Sequence, residues 1–507
     1  MPYLLGVDLG TSGTKTVLFK DDGSVVASKT IEYPLYQPKN GWAEQNPLDW
    51  WHATCETCKA VIAKSGINSK EIKGIGISGQ MHGLVMLDKS GNVKRKSIIW
   101  CDQRTANECE EITQKVGAEK LIEITANPAL TGFTASKILW VRNNEPENYA
   151  KCAHILLPKD YIRYMLTGEF ATEVSDASGM QLLDVPKRQW SDEVLSKLGI
   201  DKSLLAKVYE SPEATGAVNE KASELTGLAV GTIVAGGAGD NAAAAVGTGT
   251  VIDGKAFTTI GTSGVVFAHT SKLSIDPKGR VHTFCCAVPN AWHVMGVTQA
   301  AGLSLKWYRD NFCNAEIEVA KGIDKDPYYL MDQQAGRIPI GSEKLLYLPY
   351  LMGERTPHLD PNCRGVFFGL SAMHTKYHLL RAVMEGVTFS QRDSVEVLKE
   401  MGVSINEMLA CGGGGSSPLW RQMLADSFNC PVKTVVSKEG PALGVAILAG
   451  TATGVYKSVE EGCNSVIKLN PSQNPIAENV SEYQKYYELY KSIYPALKNS
   501  FSKLASL

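Results

Sequence analysis

Gly10-Thr11-Ser12-Gly13 returns, residue for residue, as Gly261-Thr262-Ser263-Gly264. Leu4-Leu5-Gly6-Val7 leads into the first copy and Thr16-Val17-Leu18-Phe19 leads out; Ala256-Phe257-Thr258-Thr259-Ile260 and Val265-Val266-Phe267-Ala268 flank the second in the same way. Each reads as strand, glycine-rich turn, strand. With about half the chain between the copies, a duplicated fold is the simplest cause. Glycine lets a backbone come close to a ligand and aim successive N–H groups at it, a geometry that suits phosphate oxygens. One such tetrapeptide is an ordinary tight turn. Two at corresponding places predict a polyphosphate held between them.

The 507 residues exceed what one core usually supports, so two or three domains are expected. Charged residues are 21% and hydrophobic ones 44%, as in an ordinary globular enzyme. The 51 basic and 53 acidic residues are spread evenly, with no basic stripe for nucleic acid or for an anionic membrane. A small polar substrate fits better. The start lacks a basic segment and a cleavage site, and Asp8 interrupts its apolar run, which predicts a cytoplasmic protein. The apolar stretch 228–251 carries Asp240 and Asn241 and is not read as a membrane span. Twelve scattered cysteines read as reduced thiols; Cys55 and Cys58 lack the partners of a zinc site and read as one helix face.

Further along, a helix is expected from Leu48 to about Ser65, with Trp50, Trp51, Thr54 and Cys58 on one side. A buried strand over 72–78 ends in Gln80-Met81-His82-Gly83, and another over 97–100 ends at Asp102 and Arg104. Both deliver polar groups to strand C-terminal ends, where open α/β sheets bind ligands. A strand over 231–235 leads through three glycines to Asp240-Asn241 and an Ala-rich helix, which closes the first domain. Met408-Leu409-Ala410-Cys411 runs into Gly412-Gly413-Gly414-Gly415-Ser416-Ser417-Pro418, with Ser417 suited to an N-cap and Pro418 to the first helical position. The tail tyrosines Tyr483, Tyr486, Tyr487 and Tyr490 follow helical spacing and are expected to pack on the second domain. Residues 470–475 read as an exposed connection.

These elements predict a nucleotide site. Gly10, Thr11, Ser12 and Gly13 with Lys15, then Gly261, Thr262 and Ser263, then Gly412, Gly413, Gly414, Ser416 and Ser417 would hold ATP. Asp8 is placed to help position Mg2+, directly or through water, the alternative being that it accepts hydrogen bonds from the turn. Lys15 is either a phosphate partner or a solvated strand charge. Asp240 is the candidate base for an attacking hydroxyl; its other reading is a helix N-cap. Met81, His82, Asp102, Arg104 and Asn241 would face a polyhydroxylated substrate, where unpaired polar groups penalise a wrong sugar.

The chain resembles the FGGY carbohydrate kinases, a branch of the actin, hexokinase and heat-shock ATPase superfamily. Phe133-Thr134-Ala135-Ser136-Lys137-Ile138-Leu139-Trp140 is similar to the family's first signature, and Gly365-Val366-Phe367-Phe368-Gly369-Leu370 with Ala382-Val383-Met384-Glu385 to its second. Gln80-Met81-His82-Gly83, Trp100-x-Asp102-x-Arg104, Leu157-Pro158-Lys159-Asp160-Tyr161 and Gly353-Glu354-Arg355-Thr356-Pro357 are most similar to the branch that acts on D-xylulose. The resemblance implies an α/β, two-domain actin-like ATPase fold with duplicated ribonuclease-H-like cores and a catalytic cleft between them. It places a sugar-binding domain at 1–248 and a nucleotide-binding domain at 249–507. It implies transfer of phosphate from ATP to D-xylulose, with Asp240 as proton acceptor, Met81 and His82 on the substrate, and Asp8 needed for activity. Thr11, Thr262 and Gly302, with the 412–417 loop, would contact the nucleotide. Relatives alone point to a homodimer. Ser136 departs from the proline common before the signature lysine, which bears on local stiffness. Other sugars such as gluconate or L-ribulose, or a non-catalytic sugar and ATP sensor, are the competing readings.

Overall fold

A computed structural model describes residues 2–507. Both tetrapeptides sit at the tips of antiparallel hairpins. Tyr3–Leu9 pairs with Gly13–Lys20, closing at Leu9 opposite Thr14, and Gly254–Ile260 pairs with Gly264–Thr270, closing at Ile260 opposite Gly264. In each sheet a third strand, Val25–Glu32 or Trp292–Thr298, continues the antiparallel run. A strand from far downstream, Ile72–Gly79 or Ile405–Cys411, then lies parallel to the first. A shorter parallel strand follows outside it, Ile233–Ala235 in one sheet and Val432–Lys433 in the other. The two halves repeat one topology.

The helix Pro47–Ser65 covers the first sheet. Asn46 caps it by accepting from the Leu48 N–H, Pro47 occupies the first turn, and Gly66 ends it at φ 68°. Trp50, Thr54, Cys58 and Val61 fall on one face and are fully buried. The Thr16 and Thr57 hydroxyls, 2.7 Å apart, tie that face to the hairpin. The last helix, Ala477–Ala505, packs Tyr483, Tyr487 and Tyr490 into the core of the second half, as their spacing predicts. Residues 470–475 do more than connect, since Gln473 exchanges backbone hydrogen bonds with Val432 and extends the second sheet. The strand expected over 97–100 shortens to Ser97–Ile98, leaving Trp100 half exposed.

Two helices cross between the halves. Asp240–Thr248 follows the first sheet, yet its Ala244 and Ala245 pack with Phe257 and Leu409 of the second. Gly440–Ala452 follows the second sheet and lies on Tyr3–Leu9 and Ile72–Gly79 of the first. The crossing is backbone on backbone: a Cβ on Gly444 would stand 1.9 Å from the Ala243 carbonyl oxygen, and one on Gly247 1.9 Å from that of Gly440. Any side chain at either position would push the pair apart. The candidate base therefore opens one of the two helices that join the halves.

Candidate active site

The hairpin tips present matching donors. Gly10 N–H bonds to the Gly13 carbonyl and Gly261 N–H to that of Ser263, closing each turn. The N–H groups of Thr11, Ser12, Thr262 and Ser263 have no hydrogen-bond partner among the described residues. Two free amides at each tip fit oxygens of a polyphosphate. The first tip is held from behind: Trp100 Nε1 donates to Thr11 Oγ1 at 2.9 Å, Gln45 Nε2 to the Thr11 carbonyl at 2.7 Å, and the Tyr33 hydroxyl to the Gly10 carbonyl. Behind the second tip, Gly302 N–H donates to the Gly261 carbonyl at 2.7 Å. That bond uses the Gly302 amide, so Gly302 props the second tip.

Between the halves a cavity of about 780 Å3 runs from Asp240 and Asn241 past Gly412, Gly415 and Ser416 to Arg421 and Asn470. Its size is in the range that takes a nucleotide. Ser417 caps the helix Pro418–Phe428 by accepting from Trp420 N–H at 3.0 Å, so its hydroxyl serves the cap while Ser416 lines the cavity. Gly412 needs its glycine, having φ 73° and the Ile260 carbonyl 2.8 Å from where a Cβ would sit. Gly413 meets nothing within 4 Å, and Gly414 is turned onto Ile260. Lys15 is neither free nor bare: its Nζ lies 2.5 Å from Glu439 Oε2, just before the crossing helix.

Asp8 and Asp240 form the acidic centre. Burial raises the Asp8 carboxyl above its ordinary value, with Ser78 and Lys15 pulling the other way. Burial and the Asp8 charge push Asp240 up to about 6, while hydrogen bonds from Asn241 oppose the shift. The helix begins at Asp240 itself and Gly239 holds the cap position, so Asp240 is not an N-cap. Its Oδ1 accepts from Asn241 N at 2.7 Å and Asn241 Nδ2 at 3.0 Å. The strand end before it is fixed by Ser175, whose hydroxyl accepts from Gly239 N–H at 3.1 Å and donates to Glu173 at 2.9 Å. Glu173 pairs in turn with the fully buried Lys159, which also holds Asp160 and Asp176.

Met81 packs on that strand end, its sulfur 3.0 Å from where a Cβ on Gly239 would lie. His82 follows at φ 69°, a left-handed conformation, and its ring lies against Phe133 of the first half and near Phe284 of the second, with centroids 4.9 and 6.3 Å away. Its Nδ1 is 2.9 Å from the Gly179 carbonyl; since a carbonyl only accepts, Nδ1 carries the proton and Nε2 is left as an acceptor. Burial, with Lys137 next, lowers its pKa to about 3, so the ring is neutral. Gly179 is required there because a Cβ would stand 2.4 Å from the ring. The first-signature lysine explains the turn: Lys137 Nζ and Thr134 Oγ1 both donate to the His82 carbonyl, at 2.9 and 3.1 Å. Ser136 is stiffened by hydrogen bonds to Thr105 and the Phe133 carbonyl.

Asp102 and Arg104 are placed otherwise than expected. Asp102 is fully buried and accepts from Ala43 N–H and from the backbone and guanidinium of Arg104. Arg104 also reaches Glu44 and stacks 3.7 Å from the Trp42 ring. Spent on each other, they brace the site and leave no group for a sugar. The supporting residues Gly179, Ser175, Lys159 and Lys137 act through a carbonyl, a hydroxyl and two buried charges; Lys137 and Lys159 had a sequence signal, their places in the family-like motifs, and Gly179 and Ser175 had none.

Residues 3–247 match the N-terminal domain of the FGGY family of carbohydrate kinases, and residues 256–453 match its C-terminal domain. The chain belongs to that family. It is 41% identical to the xylulose kinase of Bacillus subtilis over 100% of this chain and 99% of that one. The solved xyloylose kinase from Brucella ovis superposes with a TM-score of 0.90 at 36% identity, covering 98% of this chain and 99% of its own. The gluconate kinase from Lactobacillus acidophilus superposes with a TM-score of 0.92 at 28% identity, covering 99% of each. The expected two-domain carbohydrate-kinase fold is the one observed, and the chain is an enzyme of the sugar kinase class.

Proposed function

We propose that this FGGY kinase transfers the γ-phosphoryl group of ATP to the terminal hydroxyl of D-xylulose, giving D-xylulose 5-phosphate and ADP. The observation that carries the phosphoryl-transfer chemistry is Asp240, a carboxyl with a pKa of about 6 where the nucleotide-sized cavity meets Met81 and His82. The free amides of Thr11, Ser12, Thr262 and Ser263 hold phosphate oxygens, and Asp240 takes the hydroxyl proton as the sugar oxygen attacks phosphorus. Asn241 keeps the carboxylate oriented. Met81 covers a carbon face of the sugar, and His82 Nε2 accepts from one of its hydroxyls. The substrate assignment rests on full-length similarity to relatives that carry the name xylulose kinase.

Asp8 fits a magnesium site. Its buried carboxyl stands near Asp240, and no group of three or more His, Cys, Asp or Glu among the described residues could form a complete protein cage. That donor set suits an ion that keeps several waters and takes phosphate oxygens. When bound, magnesium would neutralise charge on the β- and γ-phosphates. No helix of the described residues is long and apolar enough to cross a membrane, and we assign the reaction to the cytoplasm.

Gluconate is the second reading, favoured by one feature: Arg355, which makes no ion pair among the described residues and whose charge bears on His82, is a cation that a sugar acid could use. A coupled ADP-release assay over D-xylulose, L-ribulose and gluconate tests the assignment. The highest kcat/KM is expected for D-xylulose, and faster turnover of either other sugar would overturn it.

A further inference from the structure

Gln391, on the helix Lys376–Glu400, is fully buried behind the second hairpin tip. Its Nε2 donates to the Thr259 carbonyl at 3.1 Å, and its Oε1 accepts from the Thr258 hydroxyl. A carbonyl only accepts, which fixes the nitrogen end of the amide. The same Nε2 would stand 2.5 Å from a Cβ on Gly264, the residue that ends the tetrapeptide. Gln391 therefore fills the space that a side chain there would need and grips the strand two residues before Gly261. Thr259 lines the nucleotide-sized cavity, whereas Gln391 exposes no surface and can act on a ligand only through the backbone it holds.

The same helix reaches the tip by a second path. The hydroxyl of Ser390, one residue before Gln391, donates to Glu354 Oε2 at 3.0 Å, and Glu354 Oε1 accepts from Gln299 N–H at 2.9 Å. Just beyond Gln299, the N–H groups of Gly302 and Leu303 donate to the Gly261 and Thr262 carbonyls at 2.7 and 3.1 Å. The carbonyls of the tip are thus tied down, while the N–H groups of Thr262 and Ser263 have no partner among the described residues. The first tip uses a buried glutamine differently. Gln45 donates to the carbonyl of Thr11 in the tip itself and accepts from Gln80 and Trp50. There the closing Gly13 is hemmed by backbone, the Ile31 carbonyl oxygen standing 2.6 Å from where a Cβ would lie; at Gly264 the Gln391 amide and the Thr298 hydroxyl take that place.

We propose that Gln391 is a positioning residue for the phosphates of the nucleotide: by fixing Thr259 at the root of the second hairpin tip, it aims the free amides of Thr262 and Ser263. This rests on the reading of the two tips as the phosphate site of ATP. Donors held in place beforehand lose little freedom when an oxygen arrives, so a loosened root weakens their grip on phosphate. A nucleoside without phosphates makes no use of those donors, and its binding is indifferent to Gln391.

The test titrates ATP and adenosine into wild type, Gln391→Met, Thr258→Val and the double variant, with melting temperature measured in parallel. Gln391→Met should raise the Kd for ATP about 5- to 30-fold, the range for losing a buried hydrogen bond, and leave that for adenosine unchanged. It should also lower the melting temperature, since the Thr258 hydroxyl and Thr259 carbonyl lose their partner. Thr258→Val should lower the melting temperature too, yet keep ATP affinity, because the bond from Gln391 to Thr259 remains. The double variant sets apolar groups against each other and should regain most of the melting temperature lost by Gln391→Met while still binding ATP weakly. Should Gln391→Met fail to fold, the double variant carries the same comparison against Thr258→Val. Unchanged ATP affinity without the glutamine, ATP affinity that recovers with melting temperature in the double variant, or an equal loss in Thr258→Val would overturn the proposal. Wild type binding adenosine as tightly as ATP would overturn the phosphate reading of the tips and this inference together.

Discussion

Lys15 Nζ lies 2.5 Å from Glu439 Oε2, joining the first hairpin to the residue before the helix that the second half lays on the first sheet. The bridge links the two halves beside the first glycine-rich hairpin tip. With the lysine side chain 36% exposed, it is worth only about 0–1 kcal/mol. Lys15→Ala and Glu439→Gln should therefore lower melting temperature slightly and equally, and the double variant should lose no more than either alone. Thermal unfolding of the four proteins checks this. A large rise in the KM for ATP in Lys15→Ala alone would assign Lys15 to the phosphates instead.

Asp240 must be ionised to accept a proton, and its carboxyl is raised to about 6 by burial and by Asp8. The profile of kcat/KM against pH should fall below about pH 6, because protonation removes the base. His82, lowered to about 3, contributes nothing to that limb. Removing the neighbouring negative charge with Asp8→Asn should move the acid limb of the residual activity to lower pH. A limb that stays put would remove Asp8 from the electrostatics of the base.

Lys159 is surrounded by Asp160, Glu173 and Asp176 and is fully buried. Lys159→Met would leave these carboxylates without their shared cation, at a cost of about 3–5 kcal/mol. The Glu173–Ser175–Gly239 bonds lead from this cluster to Asp240, so kcat should fall along with stability. Urea unfolding and turnover at one temperature separate the two effects.

The helix crossing makes Gly444→Ala a sharp structural test. Its Cβ would meet the Ala243 carbonyl oxygen at 1.9 Å, and backbone cannot step aside as a side chain can. Destabilisation of about 1–3 kcal/mol or more is expected, with a raised KM for ATP because the same helices flank the cavity. Differential scanning calorimetry and ATP titration measure both.

The duplicated hairpins were legible because each tetrapeptide is bounded by apolar runs of the period that strands require, and Tyr3–Leu9 and Gly254–Ile260 appear where those runs lie. The helix over Pro47–Ser65 was legible from the one-sided spacing of Trp50, Trp51, Thr54 and Cys58, whereas its Asn46 cap was not read. Asp102 and Arg104 misled because polar residues after a strand look alike whether they face a ligand or each other; only the arrival of Ala43, Glu44 and Trp42 from a distant segment shows that they are paired. The hydrogen bond from Gly302 N–H to the Gly261 carbonyl left no mark in the sequence either. Gly179, which sets the His82 tautomer, contributes a carbonyl and an absent side chain, and neither leaves a mark in sequence.

Replacing Asp240 with asparagine and following ADP release and sugar phosphate together is the most direct measurement. The shape of the side chain is kept while its ability to accept the proton is lost. Turnover of D-xylulose should drop by about 10²- to 10⁴-fold, with ATP binding and melting temperature close to wild type. Turnover near the wild-type rate would contradict the assignment of Asp240 as the base on which the account depends.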